Sequence, residues 1–196
     1  MAATPLVVAV GFSIRPYVSD FTNNQLVARV IADSPNRWLG GGLLMAGGAL
    51  LLAFALPTAV ERVGGGDRRR RTVRAAATVS AVLLALQVGL FSVGAAAASK
   101  IDADVPAYLD NLSVVEITIL LFGLTALLVA WVGVARAVWS SGLSPTIKWI
   151  VLAGALSGAL GHLYPGSPGE YVAAAGTAAA LWPLVPKRPH GTGRSK

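Results

Sequence analysis

An all-α, polytopic transmembrane helical bundle is the fold class this sequence predicts, and three observations carry the prediction. Of its 196 residues 55% are hydrophobic and only 13% charged, the apolar residues run in long uncharged blocks, and the charges gather between the blocks. A water-soluble core would instead need an amphipathic period in each element. The blocks give five spans, at about 38–60, 74–98, 113–138, 146–164 and 170–185, and leave open a short sixth at the amino-terminus.

Residues 2–14 (AATPLVVAVGFSI) are apolar but too few for a full crossing, so they read either as a tilted short span or as an interfacial or re-entrant helix. A basic leader region and an A-x-A cleavage site are both missing, which argues against a secretory signal peptide. Residues 20–33 place Leu26, Val27, Val30 and Ile31 at helical spacing opposite Asn23, Arg29 and Asp33, the pattern of an amphipathic helix lying on the membrane surface. Residues 1–37 therefore form a short apolar segment plus an interfacial helix, 38–186 the bundle, and 187–196 a basic tail.

The first span, 38–60, is uncharged throughout, and the connection ERVGGGDRRRRTVR behind it is too cationic and glycine-rich to lie in hydrocarbon. The second is interrupted only by Gln87 and closes at Lys100; the connection after it carries Asp102, Asp104 and Asp110. The third contains Glu116 and ends at Trp139. The fourth opens with Lys148 and Trp149 and closes with His162, Tyr164 and Pro165, and the fifth, EYVAAAGTAAALWPLV, precedes the tail.

Orientation follows from the cations. Arg62, Arg68, Arg69, Arg70, Arg71, Arg74, Arg136, Lys148, Lys187, Arg188, Arg194 and Lys196 fall on one side of this topology. Arg15, Arg29, Arg37 and Lys100 fall on the other, among most of the acids. By the positive-inside rule the first side, with the carboxy-terminus, is cytoplasmic; the amino-terminus is outside with five spans and inside with six. The run Arg68, Arg69, Arg70 and Arg71 is a topology determinant that also attracts anionic lipid headgroups. The net charge of +7 does not suggest nucleic acid, because no basic stretch interleaves with aromatics.

Close helix approach in lipid depends on small side chains. Gly154, Gly158 and Gly161 lie on one face of the fourth span, Ala81, Ala85 and Gly89 on one face of the second, and Gly42, Ala46, Ala49 and Ala53 on one face of the first. Packing within the chain and homodimerisation through Gly154 and Gly158 use the same spacing, and the first is the commoner use.

Chemistry has few carriers. With no cysteine, disulfides, thiolate metal sites and Cys nucleophiles are excluded, and two histidines cannot build a multi-His metal centre, so no metal or cofactor is expected. Glu116 is a carboxylate inside a span, close to its outer boundary, where it reaches the headgroup layer, hydrogen-bonds a neighbouring helix, or pairs with His162 at the same level as a proton-linked or cation site. Gln87, near mid-bilayer, needs an interhelical partner, with Thr125 or Ser157 in reach, or else lines a polar path. Ser157 and His162 lie about 140° apart around one helix and cannot act as nucleophile and base. Asn111-Leu112-Ser113 fits a glycosylation sequon but abuts a span.

These features point first to a non-enzymatic accessory or structural subunit of a prokaryotic cell membrane, with the bilayer and a membrane-protein partner or second copy as its contacts. A small transporter or channel with a polar site at Glu116, His162 and Gln87 is the alternative. A lipid-modifying enzyme comes third, since only Asp110, Glu116, His162 and Glu170 at the outer edge could converge.

Overall fold

A computed structural model describes residues 7, 10, 11, 13–101, 103–163 and 166–185, and every regular element among them is helical. Residues 7, 10, 11, 13 and 14 are helical; the rest of the 2–14 segment, together with the 187–196 tail, lies outside the described residues. Six helices follow: α1 Asn24–Asp33, α2 Pro35–Arg62, α3 Asp67–Lys100, α4 Val105–Trp139, α5 Pro145–Leu160 and α6 Ser167–Leu181.

The helix starts are written locally. Asn23 accepts from the Leu26 backbone N–H at 3.0 Å to open α1, Asp104 from Ala107 at 3.0 Å to open α4, and Ser144 from Ile147 to open α5. Pro35, Pro106, Pro145 and Pro168 sit in first turns, where a missing N–H costs nothing. Inside α3 the segment Gly89–Gly94 winds as a π-helix, and the Tyr108 hydroxyl of α4 donates to the Leu90 carbonyl there at 2.9 Å. Gly94 gives that hydroxyl its room, since a Cβ would collide with it.

Among the described residues three helices, α2, α3 and α4, are long and apolar enough to cross a membrane. They contain the first three spans read from the sequence. The five-span count is not confirmed at the other two, where α5 has 16 residues and α6 has 15. These reach about 24 and 22 Å, short of a hydrocarbon core of roughly 30 Å. Each continues into a 3-10 turn, Gly161–Leu163 and Trp182–Leu184, that ends within one residue of the span read from the sequence.

Helix α3 packs against both α2 and α4, and α5 pairs with α6. Leu56, Val60, Val73, Ala77, Leu127, Val134, Val138 and Val151 make the centre of the larger core. A smaller core at the opposite end gathers Val27 and Ile31 of α1, Trp38 of α2, Phe91 and Ala95 of α3, and Leu109 of α4. The apolar face of α1, which the sequence pattern suits equally to lipid, is thus turned onto the bundle, with Arg29 and Asp33 exposed. Leu43, Leu50, Phe54, Val82, Leu121, Phe122 and Val132 remain exposed along the long helices. Such a belt has no place in water and is what a bilayer would cover.

Of the small-residue seams, the one on α5 is filled by α6. A Cβ on Gly154 would lie 2.6 Å from the Ala180 nitrogen, one on Gly158 2.8 Å from the Thr177 hydroxyl, and one on Gly161 2.6 Å from the Gly169 carbonyl oxygen. Ala81 is fully buried and Ala85 half-buried, whereas Gly89 faces open space. On α2, Gly42 is backed by Ser92 of the π-turn.

Candidate functional site

The chain entering α1 is pinned across the bundle to the start of α6. Ser167 donates its backbone N–H to the Val18 carbonyl at 2.9 Å, and the Val18 N–H returns a bond to the Ser167 hydroxyl at 3.1 Å. Gly166, at φ +135°, turns the chain there with no space for a side chain, as a Cβ would meet the Ser19 carbonyl. Asp20 closes the same strap by accepting from the Thr22 hydroxyl and N–H, which hold its carboxyl below the usual range.

That strap delivers Arg15 into the protein. Its side chain is only 3% exposed, and its Nη2 donates to both oxygens of Glu170, at 3.0 and 2.9 Å. The guanidinium carbon lies 4.7 Å from the Phe21 ring centre and 4.6 Å from that of Trp38, and Nη1 approaches the Met45 sulfur at 3.6 Å. Gly41 permits this depth, because a Cβ there would sit 2.7 Å from that of Arg15.

Beside the ion pair is a cavity of ≈ 390 Å³. Glu116, Gln87 and His162 all line it, with Arg15 and Glu170 on the same wall and Phe21 and Phe91 as apolar faces. Gln87 Nε2 donates to Glu116 Oε1 at 2.6 Å. This differs from both partners the sequence offered: Thr125 donates to Leu121 on its own helix, and Ser157 packs against Gly176 on the α5–α6 seam. The reason is the length of α4. Because that helix starts at Val105, Glu116 lies three turns inside it and level with Gln87 of α3. No hydrogen bond joins Glu116 to His162, although both face the cavity from different helical segments.

Asp110 stays at the rim, accepting from the Asn24 amide at 2.6 Å. Arg68, Arg69, Arg70 and Arg71 are at the far end of the bundle, with Arg70 bridging Glu61 and Asp67 and Arg69 donating to the Ser140 hydroxyl. Among the described residues no three His, Asp or Glu side chains are grouped to hold a metal ion.

The residue that sequence reasoning missed as part of the site is Arg15. Spacing gives no sign of a partner 155 positions away. Its one local signal is a cation at the end of an apolar stretch, which otherwise reads as a topology charge. Comparison with protein-family models, curated proteins and solved structures finds no match.

Proposed function

We propose that this chain is a small membrane transporter whose substrate site is the cavity at Glu116, and that the substrate is a small organic cation. The observation that carries the reading is a charge imbalance within a half-open cavity. Two carboxylates, Glu116 and Glu170, share the cavity with one guanidinium, and Arg15 spends both its strong hydrogen bonds on Glu170. Glu116 is left with a neutral amide donor from Gln87. An uncompensated carboxylate away from water is costly, and a bound cation or a proton is what neutralises it.

Phe21 and Phe91 favour an organic cation over a bare metal ion, since their apolar surface in the cavity can cover the alkyl parts of an ammonium group. The volume suits a molecule of that size. The accessory-subunit reading has less support, because the seam that suggested a partner, Gly154 and Gly158, is occupied by α6 of the same chain.

The test is uptake into proteoliposomes of tetraethylammonium, with rubidium as the inorganic control. Tetraethylammonium should enter faster than into protein-free vesicles, and the Glu116→Gln variant should lose that excess. Asp110→Asn, which alters only the rim contact to Asn24, should keep it. Equal uptake by Glu116→Gln and the unmodified protein would remove the proposal.

A further inference from the structure

At the opposite end of the bundle a groove of ≈ 890 Å³ lies between α3 and α4, and its lining divides by chemistry. Arg68 and Arg69 on the first turns of α3 and Arg136 near the end of α4 supply three guanidinium groups, joined by the hydroxyls of Thr72 and Ser140. Asp67 also lines it, but its carboxylate is engaged by Arg70. Among the described residues none of the three guanidiniums has a carboxylate partner; Arg69 bonds only the Ser140 hydroxyl, at 3.1 Å.

Below the arginines the wall becomes apolar. Val129 and Val132 of α4 line the groove and are 49% and 55% exposed, within the belt of uncovered side chains along the long helices. Between Ser140 and Val129 the helix rises about 16 Å, so the cationic mouth and the apolar floor span a headgroup and the upper part of an acyl chain. At this level Trp139 and Trp149 stack edge to face at 5.4 Å and Trp182 is 70% exposed, a placement typical of the membrane–water boundary.

We infer that this groove is a binding site for one anionic phospholipid, its phosphate held by Arg68, Arg69 and Arg136 and its acyl chain laid over Val129 and Val132. Charge complementarity selects the phosphate, because guanidinium forks bond it through paired N–H groups. The apolar floor selects a lipid over free phosphate, which would have no use for it. The site is independent of the Glu116 cavity, at the other end of the same helices.

The experiment is native mass spectrometry of the full chain in mild detergent with dioleoyl phosphatidylglycerol, dioleoyl phosphatidylcholine or inorganic phosphate added. One phosphatidylglycerol should be retained in preference to phosphatidylcholine, and phosphate should not displace it. Arg136→Gln should weaken retention roughly fivefold, while Arg71→Gln, outside the groove, should change it little. Val132→Trp, at an exposed position, should block the acyl chain and lower retention with every arginine intact; Val129→Trp repeats the test at a second exposed position. Retention unchanged in both tryptophan variants, equal losses for Arg71→Gln and Arg136→Gln, or displacement by phosphate would each overturn the inference.

Discussion

Arg15 and Glu170 form the ion pair on which the cavity end of the molecule depends, and burial decides its worth. Both side chains are mostly out of water, at 3% and 18% exposure, so removing one partner strands a charge. Arg15→Ala should lower stability by about 3–5 kcal/mol, read as a fall in the denaturation midpoint in detergent. Arg15→Met combined with Glu170→Leu should recover most of the loss, since an apolar pair of similar volume leaves nothing unpaired. Arg70 with Glu61 is the contrast: Glu61 is 59% exposed, and Glu61→Ala should cost no more than ~1 kcal/mol. If Arg15→Ala proves as mild as Glu61→Ala, the pair does not hold the strap. At this scale the sequence showed which polar residues were out of place in lipid, namely Glu116 and Gln87, because an uncharged block makes them conspicuous. It could not show their partners. Which helix faces which is settled by packing between distant segments, so the Gln87–Glu116 bond and the Arg15–Glu170 pair have no local trace.

At the scale of elements, glycines separate into two kinds that a composition count treats alike. Gly158 on α5 faces the α6 backbone and the Thr177 hydroxyl, so any side chain there must push two helices apart. Gly47 on α2 has open space where its Cβ would point. Gly158→Val should therefore destabilise the α5–α6 hairpin by about 1–3 kcal/mol through overpacking. Gly47→Ala should instead stabilise the protein slightly, by up to ~1 kcal/mol, from helix propensity alone. Thermal unfolding of the two variants in the same detergent checks both signs. A neutral Gly158→Val would mean that α5 and α6 are not tightly packed. Spacing alone made the α5 seam legible, but it also marked Gly89, which has open space where its Cβ would point. Nor did spacing distinguish lipid from protein as the cover for α1, because an apolar stripe is written the same way for either.

The whole molecule carries its polarity in how three long helices alternate. Uncharged blocks made α2, α3 and α4 legible, since a single segment satisfies its own backbone in hydrocarbon only as helix; the change to 3-10 winding at the ends of α5 and α6 was not, since apolar residues in either winding share a composition. Direction reverses at each connection, which puts the chain around Gly64 and Gly142 at one end and Ala103 at the other. The chain has no cysteine of its own, so single substitutions report position without background. Ala103 is exposed, and Gly142 is exposed with nothing near the position of its Cβ. If the arginines of α3 hold their end in the cytoplasm, Ala103→Cys should react with a membrane-impermeant maleimide on intact cells, and Gly142→Cys only after permeabilisation. The reverse pattern would invert the orientation while keeping the crossings. Labelling of both from outside would mean that α4 does not separate two aqueous compartments, and with that the bilayer reading of the exposed Leu43, Phe54, Phe122 and Val132 belt would fall.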